Sequence, residues 1–408
     1  METNLDQANA NPQSSTAARR FLRIFFGCVV TIAVIVATIN LVAYRYMSRA
    51  ENQSIVQLLS GWGRMYKPIL YDAIKPEIAV FGASWARDAF DPTTTGELLG
   101  RTVFNHGVSG SEQYETRRFA DAALDNPNLQ VAIVNLNSFF RDKNRARFRY
   151  GFDESILDVD AEHRPNHFVS LRRAYSLALG GWSVGANIKL ISTIMARDRG
   201  VAKPDYLESY EQGDLTQRHL APFRERMFPS TGPTQNFAPS GTMPALPQYE
   251  LDELDILIDG FCNNGVDVYT YFTPSHVRQQ SCDLYAGEER AALEFLRRKQ
   301  PSCKANIRYY HFAYPNAMTL EGVLAPVTAS RYYRPDGHPR PTVGLMMAAR
   351  MFDQPFPAET PLVLQQDFGV DLLSHADAEG WLLKRAARCQ GNWDRQVYDE
   401  LMTVLQNP

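Results

Sequence analysis

The chain has 408 residues, of which 45% are hydrophobic and 21% charged, and its formal net charge is −3. This is the composition of an ordinary globular protein with one large domain or two smaller ones, and the small negative charge gives no reason to expect nucleic acid as a partner. Neither the P-loop pattern nor the dinucleotide-binding glycine pattern is present, and no Cys/His cluster has the spacing of a metal site. We therefore expect neither a cofactor nor a metal.

The N-terminus predicts a membrane anchor. Residues 1–20 are mostly polar, which is typical of a disordered tail, whereas residues 21–47 contain an uncharged run from Ile24 to Tyr44. At about 1.5 Å per residue this run spans about 30 Å, the thickness of a bilayer core. A buried core helix is the alternative; a cleaved signal peptide would have a shorter apolar region and a small-residue cleavage site. More arginines precede the span than follow it, which favours a cytoplasmic tail: Arg19, Arg20 and Arg23 against Arg45 and Arg49.

The cysteines are compatible with an oxidising compartment. Cys28 lies in the predicted span, and the remaining four form an even number that allows two disulfides: Cys262, Cys282, Cys303 and Cys389. Cys282 with Cys303 is the first pairing to expect, and four free thiols are the alternative. Together with the anchor, these cysteines predict a single-pass protein of a bacterial inner membrane with its main domain in the periplasm.

Beyond a mixed helical linker over residues 48–76, short apolar strands alternate with helices. This alternation predicts an α/β domain over residues 77–356, built on a doubly wound, mainly parallel sheet. The predicted strands are Ile78–Phe81, Thr102–Asn105, Val131–Leu136, Val266–Phe272 and Ile307–Phe312. The predicted helices are Ala86–Leu99 with an interruption at Pro92, Gln113–Leu124, Leu251–Asn263, Glu288–Lys299 and Thr342–Phe352. Residues 357–408 predict a C-terminal helical extension.

Residues 141–245 interrupt the alternation and predict a helical insertion over the sheet, such as a lid. The insertion begins with a basic run over residues 141–149, continues with an apolar helical region over 174–196, and ends in a long loop rich in Pro, Ser, Thr and Gly. Loops of such length inside a domain are functional or mobile. The basic run is either a solvated face or a contact for an anionic glycan or lipid headgroups.

The first strand leads into Gly82-Ala83-Ser84, and a helix begins at once. A strand that delivers a serine to the first turn of a helix exposes its hydroxyl at the carboxyl edge of the sheet, so Ser84 is a candidate nucleophile. A serine needs a base, and of the eight histidines His338 is best placed, late in the fold and two residues after Asp336. Asp336 would orient the imidazole; the alternative for Asp336-Gly337-His338 is an ordinary turn.

Donors for an oxyanion are expected at the same edge of the sheet. The backbone amides of Ser84 and Gly110 are candidates, with the side-chain amide of Asn137 after the third strand as a third; Asn137 is otherwise a cap or turn residue. Arg87, one helical turn after Ser84, binds a substrate carboxylate or pairs with Asp91. His276 follows the strand ending at Phe272, so it is a second candidate for lining the pocket.

These blocks together resemble the SGNH hydrolase superfamily, in its membrane-anchored form involved in periplasmic polysaccharide O-acetylation. Gly82-Ala83-Ser84 matches the family's Gly-x-Ser block, Gly110 the oxyanion glycine after the second strand, and Asn137 the asparagine after the third. The late Asp336 and His338 match the remaining triad members. The sequence departs from the family at three places: alanine replaces the usual aspartate before the serine, the third block lacks Gly-x-Asn-Asp so that Asn135 is an alternative to Asn137, and Asp336 and His338 are one residue closer.

The resemblance implies an SGNH-like fold with flavodoxin-like layering. It also implies a serine enzyme, an O-acetyltransferase or acetylesterase, acting on an extracellular polysaccharide or cell-wall polymer. Its partners would be that polymer and a membrane-bound O-acyltransferase or a polysaccharide synthase or export complex. Two alternatives stay open. The domain is an inactive scaffold that binds the polymer or the acyltransferase, or it is a carboxylesterase for small or lipid esters.

Overall fold

The computed structural model describes residues 12–53, 63–140, 151–162, 164–179, 184–199, 251–275, 282–314, 316–319, 331–334 and 337–382. Its centre is a six-stranded sheet in the order β2-β1-β3-β4-β5-β6. Strands β1 to β5 pair in parallel, and β6 is antiparallel to β5. The strands are β1 Ile78–Phe81, β2 Val103–Asn105, β3 Val131–Asn135, β4 Asp267–Phe272, β5 Ile307–His311 and β6 Val370–Asp371.

Eleven α-helices, numbered in chain order, lie in the described residues. They are α1 Pro12–Met47, α2 Gly63–Ile74, α3 Ser84–Ala89, α4 Pro92–Leu99, α5 Gln113–Ala123, α6 Val169–Leu179, α7 Val184–Asp198, α8 Asp252–Asn263, α9 Cys282–Lys299, α10 Pro341–Met351 and α11 Leu362–Asp367.

The predicted α/β class, with a mostly parallel sheet, is confirmed. Each predicted strand is present within one residue at either end, because a parallel strand covered on both faces needs a continuous apolar run. The helix predicted over 86–99 is divided in two. Asp91 caps α4 by accepting a hydrogen bond from the amide of Thr94 at 2.8 Å, and Pro92 takes the first helical position, where its missing N–H costs nothing.

Two apolar clusters cover the two faces of the sheet. Alternate residues of β1 contribute to each, with Ala79 and Phe81 on one side and Ile78 and Val80 on the other. The first cluster includes buried residues of α2, α5, α8 and α9, and the second includes residues of α3, α10 and α11. Helices therefore cover both faces of the sheet, and the carboxyl ends of β1 to β5 share one edge because these strands are parallel.

Helix α1 is long and apolar enough to cross a membrane, with a mean hydropathy of 2.5 over its most apolar 18-residue window. It ends at Met47, as predicted, but it begins at Pro12. The disordered tail predicted for residues 1–20 is therefore wrong for residues 12–20; residues 1–11 lie outside the described chain. Extending an existing helix costs little, since only nucleation is unfavourable.

The segment predicted as a linker joins the core. Within residues 48–76, α2 places four apolar side chains in the first cluster, all at most 4% exposed: Tyr66, Ile69, Leu70 and Tyr71. A spacer between anchor and domain would leave such residues exposed, so the domain begins at α2. Residues 54–62 lie outside the described chain.

The described helices of the insertion pack chiefly on the anchor helix. Both α6 and α7 lie along α1, which they contact more extensively than any strand. A lid over the sheet stays a prediction for the rest of the insertion. The basic run at 141–149 and the loop over 200–250 lie outside the described residues.

The C-terminal extension is more than helical. It contributes α11 and then β6, whose Val370 and Asp371 pair with His311 and Tyr310 of β5. The extension therefore completes the sheet at its edge, where an unpaired strand would otherwise be exposed. The described part ends at Leu382.

A disulfide joins Cys262 at the end of α8 to Cys303, 41 residues later. The predicted pairing of Cys303 with Cys282 is therefore wrong. The two bonded residues meet because α8 and α9 end side by side, where Lys299 of α9 pairs with Asp255 and Asp259 of α8. Cys28 is a free thiol in α1, and Cys389 lies outside the described residues.

Candidate active site

Ser84 is the first residue of α3, three residues beyond the end of β1. The turn that carries it depends on Gly82, whose φ is +151°. A Cβ at Gly82 would lie 2.7 Å from the Cβ of Asn135 and 2.9 Å from the Cβ of Ala86. Only glycine lets α3 start this close to β3. The predicted geometry, a serine on a tight strand-to-helix turn at the carboxyl edge, is present.

His338 meets this serine. Its Nε2 lies 2.8 Å from Oγ of Ser84, a contact between residues 254 positions apart. The imidazole is held by a tight hairpin in which the amide of Arg334 donates to the carbonyl of His338 at 2.8 Å, and Tyr333 bridges to Pro339. The indole of Trp85 stands edge-on to the imidazole, with ring centroids 6.4 Å apart.

The helix that begins with Ser84 is tied to the hairpin of His338 by a second contact. Asp88 of α3 is 1% exposed, and its Oδ2 accepts a hydrogen bond from Nη1 of Arg334 at 2.8 Å. Arg87 also donates to Asp88, from Nε at 2.6 Å and from Nη2 at 3.0 Å. Asp91, the alternative partner named for Arg87, caps α4 through Oδ1 of its carboxylate.

Helix α10 follows the His338 hairpin directly and packs on α3. A Cβ at Gly344 would overlap the carbonyl oxygen of Ala89 at the end of α3. Arg334, before His338, thus contacts α3 through its ion pair with Asp88, and Gly344, after His338, contacts α3 at Ala89. Both segments that flank His338 therefore pack against the helix that starts at Ser84.

The loop after β2 is held from two sides. Lys67 of α2 is buried, and its Nζ donates to the carbonyl oxygens of Asn105 at 2.6 Å and Gly107 at 2.5 Å. Burial, and secondly the charge of Arg87, hold the pKa of Lys67 well below its usual value, although Asp88 opposes the shift. The side-chain amide of Asn105 donates to the carbonyls of Ala86 and Phe90, at 2.9 and 2.7 Å.

The predicted oxyanion residue Gly110 closes this loop with φ of +63°. The preceding Ser109 is anchored on both sides: its hydroxyl accepts from Nη1 of Arg87 at 2.5 Å, and its carbonyl accepts from Nη2 of Arg64 at 2.8 Å. Gly110 is thus one residue away from a direct contact with the α3 helix. Arg87 is engaged in holding this loop and Asp88, so its described contacts are with the protein itself.

Asn137, rather than Asn135, has an amide group available for a ligand. Asn135 is fully buried, and its Nδ2 donates to Oδ1 of Asn137 at 2.9 Å and to Oγ1 of Thr273 at 2.7 Å. Both hydrogens of Asn135 are therefore used. The oxygen of Asn137 also accepts from the amide of Thr273 at 2.9 Å, so its orientation is fixed. The Nδ2 of Asn137, in a half-buried side chain, makes no hydrogen bond with the residues that the structure describes.

Two predicted site residues, Asp336 and His276, lie outside the described residues. Asp336 is separated from His338 by Gly337, whose φ of +81° turns the hairpin. No group of three His, Cys, Asp or Glu side chains suited to a metal occurs within the described residues. The structure thus brings together Ser84 and His338.

His106 is a buried titratable residue next to the site. It is 3% exposed and surrounded by the rings of Tyr71, Phe81, Phe104 and Phe119, with centroids 4.7 to 5.7 Å away. Neither ring nitrogen has a hydrogen-bond partner within the described part of the chain. Burial, with a smaller effect of the Lys67 charge, holds the pKa of His106 well below its ordinary value.

Sequence reasoning missed the residues that position the serine and the histidine. Asp88 lies four residues after Ser84, and Arg334 lies four before His338. Two opposite charges, each four residues from a candidate catalytic residue, could have predicted an ion pair between the segments of Ser84 and His338. Lys67 and Asn105 carry no such signal, since their partners are backbone carbonyls.

Comparison of the chain with protein-family models, with curated proteins and with solved structures gave no match.

Proposed function

We propose that this chain is a membrane-anchored, SGNH-like serine enzyme that transfers or removes an acyl group, most simply acetyl, on a bacterial extracellular polysaccharide or cell-wall polymer. The contact of 2.8 Å between Ser84 Oγ and His338 Nε2 carries the proposal. A serine hydroxyl is a poor nucleophile until an adjacent base takes its proton, and a neutral imidazole at hydrogen-bond distance is the commonest such base.

In the first step, Ser84 Oγ attacks the acyl carbonyl carbon while His338 Nε2 accepts the hydroxyl proton. The tetrahedral intermediate collapses, the bond between the acyl carbon and the donor oxygen breaks, and His338 returns the proton to the leaving alkoxide. The product is an acyl ester on Ser84. In the second step, His338 takes a proton from the acceptor hydroxyl, whose oxygen attacks the ester carbon. The bond between this carbon and Ser84 Oγ breaks, and His338 returns the proton to Oγ.

The negative oxygen of the intermediate requires fixed donors. The amide of Ser84 is the first of α3, and the first amides of a helix have no partner within the helix. The oriented Nδ2 of Asn137 and the amide of Gly110 complete the proposed oxyanion hole. Asp336 is proposed to bind the other ring nitrogen of His338.

The nature of the acceptor distinguishes the two forms of the activity. Water as acceptor gives an esterase, and a sugar hydroxyl gives an O-acetyltransferase. The resemblance of the Ser84, Gly110, Asn137 and His338 blocks to SGNH proteins of polysaccharide O-acetylation favours the second, with a membrane-bound O-acyltransferase or a synthase or export complex as partner. The disulfide between Cys262 and Cys303 supports an oxidising compartment, in agreement with a periplasmic domain on a single inner-membrane helix.

Fluorophosphonate labelling of the full-length protein in detergent tests the proposal. The wild type should acquire one adduct on Ser84, as measured by intact mass and peptide mapping. Ser84→Ala and His338→Ala should not be labelled. Ser138→Ala is a control: its buried hydroxyl lies near the site, at 3.5 Å from the carbonyl of Asn135. Absence of labelling in a folded wild-type protein would refute the activated serine.

A second experiment addresses the substrate. A strain carrying Ser84→Ala at the normal protein level should lose O-acetyl groups from its extracellular polymer, as quantified by NMR of the purified polymer. Unchanged acetylation would refute the proposed enzyme and favour the scaffold. Efficient turnover of short soluble esters, combined with unchanged polymer, would favour the carboxylesterase.

A further inference from the structure

The two described helices of the insertion pack on α1 and carry exposed apolar side chains. Exposed side chains on α6 fall on one face of the helix, at Leu171 and Tyr175, and continue to Phe168 just before it. On α7, Ile188 and Met195 are exposed on the helix face opposite to its buried residues. Soluble proteins rarely leave neighbouring apolar helix faces exposed, and contiguous apolar surface marks an interaction site.

The position of these helices relative to the membrane run of α1 follows from Asn40. This asparagine lies four residues inside the run that ends at Tyr44, about 6 Å along the helix, and it is fully buried. Its Nδ2 donates to the carbonyl of Ala178 at 2.9 Å, and its Oδ1 accepts from Nδ2 of Asn187 at 2.8 Å. A polar amide within an apolar membrane segment needs protein partners at its own depth, and α6 and α7 supply them.

The direction of α6 is equally defined. In its first half, Nε of Arg173 donates to the carbonyl of Ile156 at 2.7 Å, and the same guanidinium pairs with Asp72 of α2. Its end at Ala178 lies beside Asn40. Helix α6 therefore runs from the globular domain towards the membrane, and α7 starts at the same level, where Asn187 is bonded to Asn40.

We propose that the end of α6 and the start of α7 are seated in the interface of the lipid bilayer, beside α1, with Tyr175 and Ile188 in contact with lipid. The lipid surface is the occupant that fits, because both helices pack on α1, whose Leu41 and Val42, next to Asn40, are exposed apolar residues as well. Tyr175 lies one helical turn after the exposed Arg172, and the exposed Arg45 and Arg49 follow the apolar run of α1. Tyrosine and arginine are both typical of the headgroup region.

This attachment has a consequence for the site. A domain tethered by one helix can tilt over the membrane, whereas a domain that also rests on α6 and α7 holds one orientation. The height of Ser84 above the membrane is then constant. The inference rests on the proposed membrane insertion of α1, but not on the activity of Ser84.

Spin-label accessibility in the full-length protein tests this proposal. A ketone-bearing amino acid is introduced at one position at a time and labelled with a nitroxide, which avoids the native cysteines. The protein is reconstituted in nanodiscs of phosphatidylethanolamine and phosphatidylglycerol. Power-saturation EPR then compares collisions with oxygen, which concentrates in lipid, and with a nickel chelate, which stays in water. The positions are Tyr175, Ile188, Leu362 and Ile32.

Leu362 is the matched control, since it is 63% exposed, as Tyr175 is, but lies on α11 of the globular domain. Ile32, 61% exposed in the middle of α1, reports the anchor itself. We expect oxygen-to-nickel ratios at Tyr175 and Ile188 that lie well above the ratio at Leu362 and approach that at Ile32. Ratios equal to Leu362 at both positions, with a lipid value at Ile32, would overturn the inference while leaving the anchor intact.

Two further outcomes are decisive. Low collision rates with both reagents at Tyr175 and Ile188 would mean that protein, such as a second copy, covers this face, and would overturn lipid as the occupant. A water-like ratio at Ile32 would overturn both the membrane anchor and the inference. Neither outcome depends on fluorophosphonate labelling of Ser84, which is measured separately.

Discussion

Replacing Arg334 with methionine should slow the reaction of Ser84 while leaving the protein folded. Arg334 links the His338 hairpin to α3 through Asp88, at 2.8 Å. Methionine retains much of the apolar stem and removes the guanidinium. Asp88 is not left alone, because Arg87 still donates two hydrogen bonds to its carboxylate.

The magnitude follows from the environment of the pair. Asp88 is 1% and the Arg334 side chain 28% exposed, so solvent screens the pair only in part. A hydrogen bond to a charged group contributes about 1.5–3 kcal/mol. If all of this free energy holds His338 against Ser84, the loss corresponds to a rate about 10- to 100-fold lower, since about 1.4 kcal/mol is a factor of ten. The unfolding free energy should fall by no more than the same amount.

The assay is the second-order rate constant of fluorophosphonate labelling, with the melting temperature measured on the same samples. Arg331→Met is the matched control. Arg331 is an exposed arginine three residues earlier, whose guanidinium donates to the carbonyl of Glu359, a residue outside α3, at 2.6 Å. We expect the labelling rate to fall only in Arg334→Met. Equal rates in both variants would refute the role of the Asp88–Arg334 pair in positioning the base.

Asn137→Asp keeps the oxygen that accepts hydrogen bonds from the chain and removes the amide donor, so labelling of Ser84 should slow by about 10²- to 10³-fold; an unchanged rate would exclude Asn137 from the oxyanion hole. His106 is neutral in the folded state and protonates in the unfolded state below about pH 6.5. The unfolding free energy should therefore decrease as the pH is lowered through this range, by up to about 1.4 kcal/mol per pH unit. His106→Phe should remove that part of the slope in urea unfolding curves at pH 5 to 7, and identical slopes would contradict the pKa direction. Cys262→Ser should lose about 4 kcal/mol of unfolding free energy for a loop of this length, and stability equal to that of a Cys28→Ser control would argue against the disulfide.

Local patterns in the sequence determined the elements of this protein. The uncharged run before Tyr44 predicts α1, because crossing a bilayer depends on length and polarity alone. The apolar runs predict β1 to β5 within a residue, and the Gly82-Ala83-Ser84 turn predicts where a serine is exposed. Each of these conclusions depends on residues within one segment.

The tertiary structure decided which segments meet. That His338 lies against Ser84, that Cys303 bonds Cys262 instead of Cys282, and that α6 and α7 pack on α1 instead of the sheet all depend on contacts between distant segments. Hydrophobic periodicity defines which face of a helix is buried, but many partners satisfy the same apolar face equally well. Polar partners are more specific, as for Asp88 and Arg334 or Asn40 and Asn187, yet their geometry exists only once the chain has brought them to hydrogen-bond distance.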